Sequence, residues 1–191
     1  MGLRQKVREN LQSSFLVALI GIALLIAQTG FAAVSLQEVY ENAGPGEGYD
    51  KLMILDPQET YIGDLWISGY LTVCIRGNGA LVTAEGGSCY SIAAFGAIVD
   101  VDHLVIEADR VGILFGFASS GKVRNNTIVG ADDYGIRTYD INLTNGVEIF
   151  NNIIVNNTYG IYCDDGYLPE YIAYNDLWNN LEGNYMKYCE G

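Results

Sequence analysis

The sequence predicts an all-β solenoid, and three observations carry the prediction. The stretch from Val123 to Asp140, "VRNNTIVGADDYGIRTYD", is echoed from Ile149 to Asp165 by "IFNNIIVNNTYGIYCDD". Two columns keep one period: Gly112, Gly135, Gly160 and Gly183 recur every 23 or 25 residues, and His103, Asn126, Asn152 and Asn175 every 23 or 26. Between these markers lie short runs rich in Ile, Val and Tyr, such as "VEIFN", "NIIV" and "YGIYC", which suit strands and are too short for helix pairs. A period in the low twenties, built from short strands and punctuated by Gly, Asn and Asp, describes a single-stranded parallel β-helix of about five to six coils. Each coil would give about three strands, and successive coils would hydrogen-bond at roughly the 4.8 Å strand spacing. A leucine-rich repeat would need a leucine framework at matching spacing, and the chain has few leucines there.

The elements follow in order. Arg4, Lys6 and Arg8 precede the apolar run "FLVALIGIALLIAQ" and the small residues of "TGFAA". That is the layout of a secretory signal peptide over residues 1–32, with cleavage expected after Ala32. As a membrane anchor the run is short, roughly 13 residues against the roughly 20 needed to span a bilayer. The chain is therefore expected to be secreted, periplasmic or displayed at the cell surface, with no membrane contact once the leader is gone.

Residues 33–49 read as a capping helix and loop. Ser35 and Glu38 have capping-box spacing, Leu36, Val39, Tyr40 and Ala43 share one face, and Gly44, Pro45 and Gly46 end the helix. Such a helix would cover the apolar first end of the solenoid, where strand edges would otherwise lie open. Residues 50–191 hold the coils. The last of them, "YIAYNDLWNNLEGNYMKYCEG", has no capping helix after it, so that end is expected to self-associate end to end, to be fastened by Cys189, or to continue into something longer.

Charge and cysteines narrow the function. The formal net charge is −13, and losing Arg4, Lys6, Arg8 and Glu9 with the leader makes the remainder more acidic still, which disfavours nucleic acid as a partner. The four cysteines, Cys74, Cys89, Cys163 and Cys189, form no CxxC pair, and His103 is the one imidazole, so zinc and triad chemistry lack partners. In an oxidising compartment two disulfides are expected. If "YMKYC" stacks on "YGIYC", Cys163 and Cys189 sit one coil apart, within bridging range, which leaves Cys74 for Cys89.

Each repeated residue has a structural explanation first. An asparagine at a tight bend tolerates the left-handed backbone and can bond to the amide of the next coil, so Asn126, Asn152 and Asn175 are expected to form a ladder, with His103 in the same column. Asn125, Asn142 and Asn156 head glycosylation sequons. Departures from the repeat are the better candidates for function. All fourteen tyrosines lie beyond the leader. Aromatic faces stack on sugar rings, and a solenoid presents them in rows, so Tyr134, Arg137, Tyr139, Tyr159 and Tyr162 are the candidate carbohydrate-binding residues, the competing reading being that tyrosine simply suits strands and covers coil edges. Asp140 and Asp165 each fall five residues after a repeat glycine, beside Asp164, and stacked carboxylates repel unless a cation or basic group intervenes. Calcium held by Asp140, Asp164 and Asp165 would answer that repulsion, and the competing reading is that these aspartates simply open solvated loops.

The helix of "SLQEVYENAGPGEGYDKLMIL", the segment "ETYIGDLWISGYLTVCIRGNGALV" and the repeats "VRNNTIVGADDYGI", "FNNIIVNNTYGIY" and "YNDLWNN" together resemble the secreted right-handed parallel β-helix proteins of the pectate-lyase-like superfamily. The resemblance covers nearly all of residues 34–191. It implies a right-handed helix and is less specific about activity, since the superfamily includes polysaccharide lyases and hydrolases, epimerases and many surface and adhesion proteins. Polygalacturonase-like members carry Gly-His-Gly and Arg-x-Lys elements that this chain lacks, although Asp132, Asp133, Asp164 and Asp165 offer carboxylates. "VDVDHLVIEADR" is similar to the Asp-His element of pectate lyases, without the arginine motif expected further on. Two functions follow from these residues: a non-catalytic exported module that binds a polysaccharide, a surface glycan or another cell-surface partner, or a calcium-dependent lyase or hydrolase acting on uronate-containing glycans.

Overall fold

A computed structural model describes residues 33–84, 87–141, 146–164, 169, 171–187 and 189. The expected signal peptide, the sequon at Asn142 and the carboxylate of Asp165 lie outside the described residues. The chain divides into Met1–Ala32 and Ala33–Gly191, and the second unit is the solenoid. No helix among the described residues is long and apolar enough to cross a membrane.

The solenoid opens with β1 (Val34–Ser35) and α1 (Leu36–Asn42). Coil one holds β2 (Lys51–Ile54), β3 (Thr60–Ile62) and β4 (Leu65–Ser68), and coil two β5 (Thr72–Arg76), β6 (Leu81–Thr83) and β7 (Ile92–Phe95). Coil three holds β8 (Ile98–Asp102), β9 (Val105–Glu107) and β10 (Val111–Gly116), and coil four β11 (Ser120–Arg124), β12 (Thr127–Val129) and β13 (Tyr134–Thr138). Coil five holds β14 (Val147–Phe150), β15 (Ile153–Val155) and β16 (Tyr159–Cys163), and coil six β17 (Tyr171–Ala173), β18 (Asp176–Trp178) and β19 (Gly183–Lys187). Every coil gives its first strand to sheet one, its second to sheet two and its third to sheet three, and all pairings between coils are parallel. The all-β parallel solenoid of six coils is therefore the architecture expected from the repeat.

Burial on the inner face explains why these strands stack. Tyr61, Val82, Ile106, Ile128, Ile154 and Leu177 follow one another in register up sheet two. Ile136 and Ile161 do the same in sheet three, and Val101, Val123 and Ile149 in sheet one. These residues form one continuous apolar core, and removing each aliphatic side chain from water is worth about 1.5–3 kcal/mol. In coil six the inward Ile172, Leu177 and Tyr185 are only partly buried.

The expected N-terminal cap is present. Ser35 Oγ accepts from Glu38 N at 3.3 Å, and Leu36 and Tyr40 are buried against coil one. Lys51 Nζ donates to Tyr40 O and Ala43 O at 2.8 and 3.0 Å, satisfying carbonyls at the end of α1.

The register corrects two markers and divides one expected role in two. Asp102 pairs with Arg124 and Val105 with Thr127, so His103 aligns with Asn125 and Leu104 with Asn126. Ile106 therefore joins the inner column beside Ile128. His103, Asn125, Asn151 and Tyr174 take the left-handed backbone at the bend, with φ of 56°, 57°, 58° and 56°. The following residue, Asn126, Asn152 or Asn175, points inward and builds the ladder. Asn126 N donates to Asn152 Oδ1 at 3.0 Å, Asn152 N to Asn175 Oδ1 at 3.0 Å, and Asn152 Nδ2 reaches Val123 O at 2.9 Å. Likewise Gly183 pairs with Tyr159, so it is not the fourth member of the column Gly112, Gly135 and Gly160. Those three face the core: a Cβ on Gly135 would lie 2.7 Å from Ile154 Cγ2 and 2.8 Å from Gly160 O.

A second ladder was not anticipated. At the bend between sheets two and three, Asn157 Oδ1 accepts from Ala131 N at 2.9 Å, and Asn180 Oδ1 accepts from Asn157 N at 3.0 Å. Each is again preceded by a left-handed asparagine, Asn156 or Asn179.

Of the two expected disulfides, Cys163–Cys189 forms, with Cα atoms 5.6 Å apart, and both residues are buried in the core. It does so without the expected stacking, since Cys163 pairs in register with Lys187 and Cys189 comes two residues later. Cys74 and Cys89 are free. Strand alternation turns Cys74 outward on sheet one, where it is buried, whereas Cys89 is exposed ahead of β7 in sheet three. The two thiols belong to different walls of coil two.

The candidate site on the outer face of sheet three

Sheet three carries apolar side chains on both faces. Ile136 and Thr138 of β13 turn inward and Arg137 and Tyr139 outward, and the alternation breaks at core-facing Gly135, which leaves Tyr134 on the outer side as well. In β16, Ile161 and Cys163 turn inward and Tyr159 and Tyr162 outward. Arg137 stands in register with Tyr162, and Tyr134 with Tyr159. All five residues expected to contact carbohydrate therefore share one wall, on adjacent coils.

Their geometry is a packed group. The Tyr134 and Tyr159 rings stack with centroids 5.5 Å apart and planes at 20°, and Tyr162 lies 4.6 Å from Tyr134. The Arg137 guanidinium carbon is 5.1 Å from the centroid of Tyr134 and 5.2 Å from that of Tyr139, within cation–π range of both. Arg137 Nε and Nη2 both donate to Asp164 Oδ2, at 3.1 and 2.7 Å. Burial opposes the charge on Arg137, but Asp164 outweighs it and the guanidinium pKa is raised. Burial also raises the Tyr134 and Tyr139 hydroxyls, so both rings are neutral at physiological pH.

The aromatic group continues beyond the expected residues. Tyr139 meets Phe117 at 5.3 Å, Phe117 meets Phe95 at 5.6 Å, and Phe95 meets Trp66 at 4.0 Å. The row thus crosses coils one to four. Phe95 is the buried link of the row and joins Ala93, Val111 and Leu114 in a second apolar cluster outside the solenoid core, flanked by Tyr90, Tyr134 and Tyr139. Trp66 and Phe117 remain 51% and 58% exposed, so the row is open to solvent at those rings.

Beside the row is a cleft of about 230 Å³ between Tyr90, Arg110, Asp133, Tyr134 and Arg137, with Cys89 on its rim. Arg110 Nε and Nη2 donate to Asp133 Oδ2 at 3.0 and 2.6 Å, and that hydrogen bond raises the Arg110 pKa. Two like-oriented Arg–Asp pairs therefore border the aromatic row, from coils three and four and from coils four and five.

The expected calcium ligands are placed differently from one another. Arg137 is the basic group beside Asp164, and Asp140 is a left-handed bend residue, φ 47°, whose carbonyl accepts from Ala118 N. No group of three His, Cys, Asp or Glu among the described residues is placed to hold a metal ion.

The outer face of sheet one is charged instead. Asp102 pairs with His103 Nδ1 at 2.6 Å and with Arg124 at 3.2 Å, Lys122 with Glu148 at 2.9 Å, and Tyr49 donates its hydroxyl to Asp100 at 2.6 Å. That hydrogen bond to Asp100 drives the Tyr49 pKa far upward.

Three stacked parallel sheets with an inward asparagine ladder define the class as a parallel β-helix protein. Residues 68–187 match the family described as the right handed beta helix region, and the chain belongs to that family. No curated protein and no solved structure matches the chain.

Proposed function

We propose that the protein is an exported glycan-binding module whose binding surface is the outer face of sheet three. The observation that carries this reading is the aromatic row from Trp66 to Tyr139, open to solvent at Trp66 and Phe117 and continued by Tyr134, Tyr159 and Tyr162. Pyranose rings offer C–H faces that pack on aromatic side chains, and hydroxyls that find acceptors at the aspartates beside them. Soluble proteins seldom leave such a strip uncovered without using it. The resemblance to the pectate-lyase-like superfamily supports a carbohydrate ligand, and the Cys163–Cys189 bridge supports an oxidising compartment outside the cytosol.

Affinity electrophoresis against a panel of plant, algal and microbial polysaccharides tests the reading. Retardation in at least one gel is expected, reduced in Tyr139→Ala and in Trp66→Ala. Equal mobility in every gel would remove the glycan, and release of reducing or unsaturated ends would replace a binder with an enzyme.

A further inference from the structure

Arg110 and Arg137 are the cations of the binding face among the described side chains, and both are engaged within it. Each directs Nε and Nη2 to a single oxygen, Oδ2 of Asp133 or of Asp164. Each guanidinium is already neutralised by its aspartate, so a uronate or sulfate binding its remaining N–H groups would sit beside a second anion, and one displacing the aspartate would leave that carboxylate unpaired. The bends around the face add Asp109, Asp132 and Asp140, and the whole chain carries a formal charge of −13. A polyanion is therefore repelled at a distance as well as at contact.

Neutral hydroxyls meet the opposite situation. Neither arginine donates to Oδ1 of its aspartate, so each carboxylate presents a charged acceptor to a ligand O–H, the stronger kind of hydrogen bond. The rings supply the direction. From Trp66 to Tyr139 the centroids advance by 4.0, 5.6 and 5.3 Å, close to the roughly 4.8 Å rise from coil to coil. Phe95 is 8% exposed beside Trp66, so a chain lying along the solenoid axis meets Trp66, Phe117 and Tyr139, and a compact or highly branched glycan meets one or two of them.

We propose that the face selects a neutral, linear glycan laid along the solenoid axis, held by ring stacking and by hydroxyl donation to Asp133 and Asp164. This rests on the glycan reading above and narrows it.

Titration calorimetry of the intact protein at low and high salt separates the two. The probes are a length series of neutral linear glucans and mannans, and a polygalacturonate, an alginate and a sulfated glycan of matched length. Affinity for a neutral series is expected to rise with length until the row is filled, and to change less than about twofold with salt, because no ion pair forms. The polyanions are expected to bind at least about tenfold more weakly at low salt. Asp164→Asn frees Arg137 and should gain affinity for polygalacturonate while losing it for the neutral chain. Asp133→Asn makes the same test at the more exposed pair should Asp164→Asn fold poorly. Tighter binding of a polyanion by the natural protein, or affinity flat with neutral chain length, overturns the proposal. Absence of binding by every probe overturns the glycan reading itself.

Discussion

Ile136 and Arg137 are consecutive residues on opposite sides of one strand. Ile136 is fully buried and continues a column of aliphatic side chains, whereas Arg137 lies between two tyrosine rings on the outer wall. The inner wall answers to one requirement repeated at every coil, to fill the space beneath the next, so its residues vary little. The outer wall is free of that requirement, and its two faces have diverged: sheet one is covered by ion pairs, sheet three by rings over a second apolar cluster. The contrast teaches where to look for work. Inner substitutions should move stability and leave binding alone, and outer ones should do the reverse.

The largest expected effect is inside. Asn152→Ala removes the acceptor for Asn126 N and the donor to Val123 O, stranding buried backbone groups, and should cost about 2–4 kcal/mol in denaturant unfolding. Retention of full stability would show that the ladder is ornamental. Cys163→Ala opens a bridge between residues 26 apart, and about 2–4 kcal/mol should be lost, abolished as a difference when the natural protein is reduced. Gly135→Ala forces a methyl against Ile154 and the Gly160 carbonyl, for about 1–3 kcal/mol. Phe117→Ala, at a ring 58% exposed, should change stability by less than about 1 kcal/mol while weakening glycan binding roughly three- to tenfold. A large stability loss there would collapse the distinction between the walls. The smallest effect is chemical: under native conditions a thiol reagent should label Cys89 alone, since Cys74 is buried, and labelling on the rim of the cleft should lower glycan affinity without altering the melting temperature.

The inner wall was legible in the sequence because it repeats. Three of the four glycines and all three ladder asparagines fall where the period puts them, and the errors at His103 and Gly183 are single-residue slips made where a marker had to be extrapolated across a bend of changed length. The second ladder was legible too: the pair Asn156 and Asn157 recurs as Asn179 and Asn180, in the same pattern as Asn151 and Asn152, and only the more regular column was followed. The five outer residues of coils four and five were found because they depart from a close echo. Trp66, Phe95 and Phe117 were missed for a physical reason. Phe95, Phe117 and Tyr139 recur every 22 residues, a column hidden because its side chains differ and its period is shorter than that of the glycines, whereas Trp66 stands 29 residues before Phe95 and only the strand register brings those two rings together. The free cysteines were misread for a related reason, since separation along the chain says nothing about which wall a residue faces.

In coils three to six the bend between sheets one and two is always two residues long, 103–104, 125–126, 151–152 and 174–175, and it is the bend that holds the first ladder. The number of residues between a sheet-three strand and the next sheet-one strand varies, three at 117–119, eight at 139–146 and seven at 164–170. Length can therefore change after sheet three while the ladder bend keeps its registration. For evolution, that separates the acquisition of a new ligand from the risk of misfolding. For protein engineering, it marks 139–146 as the place to graft a recognition loop and 151–152 as the place to leave untouched.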